Sequence, residues 1–384
     1  MDITKQVKRR DFFIKFPFFV KRVYFEVECK QKKTKSSKIY FTAFLKGIFF
    51  LRVYIQVMQF SSGLDFIGDI HGHVECLSRL LLKMGYKECE EGYFHPEGRQ
   101  VVFLGDYIDR GPDSKAVYRL VRSMVESKNA VALLGNHELN ALAFWTKRLN
   151  PSANQDSYYR EHSFNKVMIH AETVTSFHTA NGGRGKDEFY EMLNFFRTLP
   201  LYLETETFRA MHACADLSSI ALLKAAGVIN LADDSVLHRA LDESLDLFKP
   251  IDMLLKGPEM ELPEGITFRD SENVLRYKTR ITWWENPSTA SLEELSLQPG
   301  IKLPNAPVPE HIRQRDFYRP SERPVFFGHY WLEGSPYLFR DNVCCLDFSV
   351  ASRYRRGKLA AYRFDGEQKL SASKIVYFDP LEEY

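Results

Sequence analysis

The sequence reads Phe66-Ile67-Gly68-Asp69-Ile70-His71-Gly72, and two further motifs with the same layout follow it, Gly105-Asp106-Tyr107-Ile108-Asp109-Arg110-Gly111 and Gly135-Asn136-His137-Glu138. Each motif comes directly after a short apolar run, and the segments between the motifs carry apolar residues at helical spacing. This pattern predicts a strand–helix–strand–helix–strand unit. Because open α/β sheets build their sites just past the carboxyl ends of their strands, we expect the three motifs to meet at one edge of a sheet.

The side chains of these motifs are of the types that bind metal ions and phosphate groups. Asp69 and His71 are two residues apart, so an extended backbone points both side chains the same way. The two carboxylate oxygens of Asp106 can bridge two cations, and Asn136 can add a neutral oxygen ligand. Hard oxygens mixed with imidazole suit Mn²⁺, Fe, Zn²⁺ or Co²⁺ better than Ca²⁺. Arg110 offers a fork of donors for phosphate oxygens.

Three histidines extend this set of candidate site residues. His137 follows a candidate metal ligand and can act as a general acid, with Asp109 available to orient its ring. His212 and His329 each follow a later apolar run, so they repeat the placement of the earlier motifs. All three are therefore candidates for the same site.

The three motifs together resemble the signature of the calcineurin-like metallophosphoesterases, which is GD-x-HG, then GD-x-x-DRG, then GNH[ED], and all three are complete here. The DRG and NHE spellings are most similar to a bacterial branch that is like serine/threonine phosphatases and is related to symmetrical dinucleoside tetraphosphate hydrolases. The similarity extends from Met58 to about Phe364. It implies an α/β fold, a four-layer αββα sandwich of two mixed β-sheets flanked by helices.

The resemblance also implies a site with two divalent metal ions. One ion would be held by Asp69, His71 and Asp106, and the other by Asp106, Asn136, His212 and His329. Mn²⁺ is the ion that we expect, with Fe, Zn²⁺, Co²⁺ or Ni²⁺ as alternatives. Two departures stand beside the ligands. Ala213 and Cys214 replace two glycines that are usual in protein phosphatases, and Trp331 replaces a second histidine that many relatives have. The first departure weakens the transfer of protein-phosphatase specificity and leaves the metal ligands intact.

The activity that the resemblance implies is hydrolysis of phosphate monoesters, in a phosphoprotein or a small phosphate ester, by direct attack of a metal-bridging hydroxide. Arg110 and Asn136 would bind the phosphoryl group, and His137, oriented by Asp109, would protonate the leaving oxygen. Two alternatives stay open. A dinucleoside polyphosphate hydrolase would be favoured by aromatic side chains that stack on bases near the metals. A metal-binding scaffold without catalysis would be favoured by a broken ligand set.

Charge divides the chain of 384 residues, whose net charge is +2, into two parts. Residues 1–57 hold fourteen Lys and Arg but only four acidic residues, which leaves 38 basic and 46 acidic residues in 58–384. The mildly acidic remainder is not typical of a nucleic-acid-binding protein, so we expect no nucleic-acid partner. We interpret 1–57 as a basic leader that is disordered or not translated, with contact to a membrane surface as the alternative. Its apolar stretch contains Lys46 and Arg52 and does not predict a transmembrane helix.

The remaining predictions concern 58–384, interpreted as one metallophosphoesterase domain. Its cysteines form no C-x-x-C pair, which favours reduced thiols and a cytoplasmic protein. A segment at about 217–320 is predicted to be an insertion or lid, in which Trp283 and Trp284 either stack on a base or pack in the core. His162, His170 and His178 are too widely spaced along one helix to share an ion, so we interpret them as ordinary helix residues. The apolar face of that helix is predicted to comprise Phe164, Val167, Met168, Ala171, Val174 and Phe177.

Overall fold

The computed structural model describes residues 63–151, 156–178, 184–269, 275–297, 303, 307–352 and 357–381, and its first strand begins at Leu64. The strands are β1 (Leu64–Ile67), β2 (Lys87–Cys89), β3 (Gly92–Phe94), β4 (Gln100–Phe103), β5 (Ala130–Ala132), β6 (Tyr202–Glu204), β7 (Arg209–Met211), β8 (Glu259–Glu261), β9 (Phe268–Arg269), β10 (Leu275–Arg276), β11 (Lys278–Arg280), β12 (Val325–Phe327), β13 (Val343–Cys345), β14 (Asp347–Phe348), β15 (Lys358–Phe364) and β16 (Ile375–Phe378). The helices are α1 (Val74–Lys83), α2 (Ser114–Glu126), α3 (Asn136–Trp145), α4 (Phe164–Phe177), α5 (Arg184–Thr198), α6 (Leu217–Ala225), α7 (Asp234–Leu241), α8 (Phe248–Lys256), α9 (Leu292–Leu295) and α10 (Glu310–Arg313), with a 3₁₀ turn at Ala372–Lys374. The predicted strand–helix–strand–helix–strand unit is β1, α1, β4, α2 and β5, with the hairpin β2–β3 added before β4.

The first sheet carries the three motifs at one edge. Its strand order is β14-β15-β1-β4-β5, and β16 pairs with β15. Strands β1, β4 and β5 are parallel, and the register pairs Ile67 with Phe103 and Phe103 with Ala132. The chain therefore leaves all three strands at the same level, and the glycine–Asp or glycine–Asn pair of each motif begins within three residues of that level. The expectation that the motifs meet at one sheet edge is confirmed.

The second sheet carries the two later histidines. Its strand order is β13-β12-β7-β6, in which β7, β12 and β13 are parallel and β6 is antiparallel to β7. His212 follows β7 directly, and His329 follows β12 after Gly328. The sequence predicts that Val343–Asp347 and Lys358–Phe364 are closing strands of a second sheet. Val343–Cys345 does form β13 of this sheet, whereas the prediction for Lys358–Phe364 is wrong. These residues form β15, which lies between β1 and β14 in the first sheet, where its nearly continuous apolar run is buried.

Aromatic side chains fill the space between the two sheets. Phe66 on β1 stacks on Phe326 on β12 with ring centroids 3.8 Å apart, and Phe208 and Phe364 meet the same pair edge-on. Helix α1 packs on β15 and β16, α2 packs on β5, and the backbone N–H groups of Ala213 and Cys214 both donate to the Leu254 carbonyl of α8. The predicted sandwich of two mixed sheets with flanking helices is confirmed.

The described part of the predicted insertion at 217–320 contains α6–α10 and β8–β11. Strand β8 pairs with β11 and β9 with β10, and a smaller hydrophobic core lies in this segment. That core comprises Met260, Ile281, Leu292, Leu295, Leu303, Val308 and Ile312. Trp283 and Trp284 are only 5% and 1% exposed and pack against Phe327 of the main core. They are core residues, and neither ring presents a face for a base.

Helix α4 turns most of its predicted apolar face outward. Phe164 is 77% and Met168 is 52% exposed, whereas His170 and Thr173 are buried. Phe177, which is also predicted for the apolar face, is buried as expected. Buried polar contacts explain this orientation. His170 and Thr173 both contact the Asp109 carboxylate and so fix the rotation of the helix. None of the helices in the described part of the chain is long and apolar enough to cross a membrane. The predicted leader at 1–57 lies outside the described residues.

Candidate metal centre

Asp106 lies at the centre of the candidate site, with one carboxylate oxygen on each side. Its Oδ1 is 3.4 Å from Nε2 of His212, and its Oδ2 is 3.6 Å from Nε2 of His71. A Cβ on Gly135 would lie 2.3 Å from the same Oδ1, so only glycine allows the third motif to approach this closely. Burial raises the pKa of Asp106, but His212 and His137 outweigh it and hold that pKa well below its usual range. Asp106 is therefore an ionised carboxylate that faces two separate groups of ligand atoms.

His71 presents a ring nitrogen that is ready to bind a cation. Its Nδ1 lies 2.8 Å from the carbonyl of Ile108 and must donate there, which leaves the lone pair on Nε2. This Nε2 is buried and has no hydrogen-bond partner among the described residues. Burial, followed by the nearby His137, lowers the pKa of His71 to about 3, so the ring is neutral at physiological pH. A buried, neutral and unpartnered imidazole nitrogen fits a metal ligand.

The second group of ligand atoms converges on Asn136. Its Oδ1 lies 2.8 Å from His212 Nε2 and 2.7 Å from His329 Nδ1. The other ring nitrogen of His212, Nδ1, donates a hydrogen bond to the Leu104 carbonyl at 2.9 Å. In the neutral ring the His212 Nε2 lone pair therefore faces the amide oxygen, and this contact is repulsive unless a proton or a cation lies between them. Burial lowers the pKa of His212, but the Asp106 carboxylate outweighs it, so the site raises that pKa.

Asp69 is held at the junction of the two sheets. Both of its oxygens accept the backbone N–H of His329, at 3.1 and 3.2 Å, and a Cβ on Gly328 would lie 1.9 Å from Oδ1. Burial, then Asp347, then Asp106 raise the pKa of Asp69 well above its ordinary value. Several buried carboxylates thus share one small volume with neutral imidazoles. Such a set of oxygen and nitrogen donors, with excess negative charge, fits divalent cations.

Glu138 fastens the second and third motifs to each other. It accepts the backbone N–H groups of Asp106 at 2.9 Å, of Tyr107 at 2.8 Å and of Gly135 at 3.0 Å. Burial, followed by the Asp106 charge, raises the pKa of Glu138 to about 8. The sequence shows Glu138 as a motif residue without a role of its own, and this backbone-binding role appears only in the fold.

A buried chain of polar contacts supports His137. Its Nδ1 lies 2.7 Å from Oδ2 of Asp109, and its Nε2 lies 4.0 Å from Oδ2 of Asp106. The other oxygen of Asp109 accepts the Thr173 hydroxyl at 2.6 Å and lies 3.1 Å from His170 Nδ1. Burial raises the pKa of Asp109, but hydrogen bonds from His137 and His170 outweigh it and lower that pKa. Asp109 is thus a carboxylate that fixes the His137 ring with Nε2 toward the metal centre.

Sequence analysis missed His170 and Thr173 as parts of this site. Both are on α4, which follows the third motif after a variable segment, and His170 is only 3% exposed. The signal that could have found them is the spacing of His170, Thr173 and Phe177, which places them on one helical face opposite the exposed apolar residues.

Arg110 lies beside the site and stacks on an aromatic ring. Its Cζ is 4.0 Å from the ring centroid of Trp331, which in turn lies 6.0 Å from the His71 ring. Asp347 accepts the Trp331 backbone N–H at 2.7 Å and so fixes the position of this ring. Trp331, the residue that departs from the family pattern, therefore orients the guanidinium that we expect to bind phosphate. A cavity of about 250 Å³ opens beside Arg110.

A family model described as calcineurin-like phosphoesterase matches residues 64–225 of this chain. Over these residues the chain is similar to the calcineurin-like phosphoesterases. The matched part contains β1 to α6, which includes all three motifs and His212, whereas His329 lies beyond it.

Two curated relatives are both named bis(5'-nucleosyl)-tetraphosphatase PrpE [asymmetrical]. The protein of Oceanobacillus iheyensis is 34% identical over 157 residues, which are 40% of this chain and 56% of that protein. The protein of Halalkalibacterium halodurans is 48% identical over 80 residues, which are 21% of this chain and 31% of that protein. The chain thus spans about half or less of the length of these relatives. A serine/threonine phosphatase structure from Saccharomyces cerevisiae aligns with 83% of this chain and 80% of its own, at 13% identity and a TM-score of 0.35.

Proposed function

We propose that this chain hydrolyses phosphoric esters with two divalent metal ions bound at the site around Asp106. The observation that carries the proposal is the position of the Asp106 carboxylate, whose two oxygens face His71 on one side and His212 on the other. A carboxylate shared in this way is the arrangement that a two-metal site needs. When bound, the ions would supply a water of lowered pKa and positive charge against the phosphoryl oxygens.

The residues that would hold the ions are the six that sequence analysis predicts. Asp69, His71 and Asp106 would hold one ion, and Asp106, Asn136, His212 and His329 the other. Mn²⁺ is the ion that we propose, because it accepts both carboxylate oxygen and imidazole nitrogen. The complete set of ligand types gives no support to the alternative of a scaffold without catalysis.

The chain's own groups would bind the phosphoryl group and move a proton. His137 would donate the proton on Nε2 to the leaving oxygen, since Asp109 holds its Nδ1 proton in a hydrogen bond of 2.7 Å. Arg110, stacked on Trp331, would donate to the phosphoryl oxygens, and the Asn136 amide would add a further contact.

Two substrate classes remain candidates for this site. Phosphate monoesters are the class that the sequence resemblance implies first. The names of the two relatives, both tetraphosphatases, favour the second class, the dinucleoside polyphosphates. Burial of Trp283 and Trp284 removes one argument for base stacking, but it does not argue against a phosphate chain.

The experiment follows the products of the full chain with Mn²⁺ on an aryl phosphate, a phosphothreonine peptide and diadenosine tetraphosphate. We expect phosphoester or anhydride cleavage that depends on Mn²⁺ and is lost in Asp106→Asn. Preferred cleavage of the dinucleotide assigns the second substrate class, and release from the monoesters alone assigns the first. Equal rates in the wild type and Asp106→Asn would overturn the proposal.

A further inference from the structure

A cavity of about 370 Å³ lies against α3, the helix that begins with Asn136 and His137. Its wall includes Asn140, which lies three residues after His137 on α3. Residues three apart share one face of a helix and are separated by about 4.5 Å along its axis. Arg160, also in the wall, donates from Nη1 to the Asn140 Oδ1 at 2.5 Å. The cavity is therefore attached to the helix that carries the proposed general acid, about one turn away from it.

Basic side chains from three different segments line this cavity. Arg148, Arg160, Lys166 and Lys256 all contribute to its wall. Lys256 pairs with Asp252, and Arg148 lies 3.6 Å from Asp242. Arg160 and Lys166, in contrast, form no ion pair with any residue in the described ranges. Nearby acids act on these two cations without a direct salt bridge in the described chain, Asp109 on Arg160 and both Glu161 and Glu243 on Lys166.

The positive charges of Arg160 and Lys256 repel that of Lys166. Burial lowers the pKa of Lys166, and Arg160 and Lys256 lower it further. Acidic residues also lie in the wall, namely Asp156, Glu161 and Glu243, but they make no salt bridge to Lys166 within the described chain. Four basic side chains at one cavity, two of them without a direct salt bridge within the described chain, favour a bound anion.

Arg160 supplies a second, independent observation. Its Nε is buried and has no hydrogen-bond partner among the residues that the structure describes. Burial lowers the pKa of Arg160, and the Asp109 carboxylate opposes this. A buried guanidinium N–H without a partner is costly, and an anion with several oxygens would satisfy it by a charge-assisted hydrogen bond. Arg160, a residue of the cavity wall, thus has a donor that no described residue uses.

We infer that this cavity binds the phosphate groups next to the scissile one in a condensed phosphate chain. The inference rests on the proposed function, because it assumes that the scissile phosphoryl group lies at the metal centre beside His137. A monoester has a single phosphate group and would leave Arg160, Lys166 and Lys256 without a ligand. A chain of consecutive phosphates would run from the metal centre along α3 into the cavity, whose volume lies in the usual range for ligand sites.

The binding test separates this inference from catalysis. Inorganic tripolyphosphate, ATP and orthophosphate are titrated into the full chain in the presence of a metal chelator, and heat of binding is measured. We expect tripolyphosphate to bind at least about tenfold more tightly than orthophosphate, because a chain meets several cations at once. Lys166→Ala should weaken tripolyphosphate binding about tenfold. Lys249→Ala removes an exposed lysine of the same helix as Lys256, outside the cavity, and should change nothing.

The kinetic test uses the metal-loaded full chain and the same two variants. We expect Lys166→Ala to raise KM for diadenosine tetraphosphate about tenfold and to leave kcat/KM for an aryl phosphate unchanged within about twofold. Arg160→Gln serves as a second variant that keeps a hydrogen-bonding side chain next to Asn140. ATP binding tighter than tripolyphosphate binding would assign a nucleoside-bearing chain, and equal binding would assign the bare phosphate chain.

Failure of the inference differs from failure of the proposed function. Tripolyphosphate binding that is unchanged in both Lys166→Ala and Arg160→Gln would overturn the inference even if the wild type is an active hydrolase. Equal losses on the aryl phosphate or on a phosphothreonine peptide would also overturn it. Loss of tripolyphosphate binding in the variants, with no hydrolysis of any substrate by the wild type, would support the anion site and contradict the proposed function.

Discussion

The Asp109 Oδ2 lies 2.7 Å from Nδ1 of His137, and both side chains are buried. This contact fixes which ring nitrogen carries the proton that faces the substrate. We expect His137→Ala to lower kcat by about 10²–10⁴-fold on esters with poor leaving groups, because these need a proton in the transition state. Asp109→Asn should follow the same trend. The measurement is kcat for aryl phosphates of graded leaving-group pKa, with metal content measured on each variant. Equal losses on good and poor leaving groups would contradict the role of His137.

Thr173→Val tests the support beneath Asp109. The Thr173 hydroxyl accepts the Asp109 backbone N–H at 2.9 Å and donates to its carboxylate at 2.6 Å. Since valine keeps the shape and removes both contacts, we expect the free energy of unfolding to fall by about 1–3 kcal/mol. We also expect kcat to fall for poor leaving groups only. Thr175→Val, an exposed position on the same helix, is the control for chemical denaturation and kinetics. If both variants lose the same unfolding free energy and the same kcat, the contacts of Thr173 with Asp109 do not explain the effect.

Some residues of the site can be predicted from the sequence and others cannot. The motif spelling predicts Asp109 and His137 together because they follow neighbouring strands of one sheet. Thr173 and His170 could not be predicted in the same way, since nothing in the local sequence fixes the rotation of α4. An apolar stripe at helical spacing normally faces the core. Here the buried polar contacts to Asp109 set the rotation, and Phe164 is left exposed.

Strand β15 shows a second limit of the sequence. Its apolar run correctly indicates a buried strand, but strand pairing between distant segments leaves no local mark. The run pairs with β1 in the first sheet, and the expected place in the second sheet was wrong. This error does not affect the prediction of the metal-centre residues in the same way, because each of them lies at the end of its strand whichever strand is its neighbour.

Gly135→Ala tests the close approach of the third motif to Asp106. The added Cβ would meet both the Asp106 backbone nitrogen and Oδ1 at 2.3 Å, so backbone must move. We expect the variant to lose metal affinity and about 1–3 kcal/mol or more of unfolding free energy. Gly227→Ala is the control for metal binding, because nothing lies within 4 Å of an added Cβ there, although its φ of +68° makes the variant less stable in its own right. Chemical denaturation and Mn²⁺ titration would be run on both. If the Gly135→Ala protein binds Mn²⁺ like the wild type, an added Cβ at this position does not disturb Asp106.

Trp331→Ala tests the stacking contact on Arg110. Without the ring, the guanidinium would lose an orienting surface at 4.0 Å, and we expect KM to rise about three- to tenfold with little change in kcat. Trp331→Phe keeps an aromatic face and should restore most of the affinity. Steady-state kinetics on one substrate measures both. If Trp331→Phe and Trp331→Ala raise KM equally, stacking is not the function of this ring.

The central claim is that Asp106 joins two metal ions, and the number of ions bound per chain tests it most directly. The full chain and Asp106→Asn would each be dialysed against Mn²⁺, and bound metal and phosphate release would be measured on the same samples. We predict two ions per chain and Mn²⁺-dependent release for the wild type, and at most one ion and no release for Asp106→Asn. An Asp106→Asn protein that keeps two ions and the wild-type rate would contradict the claim.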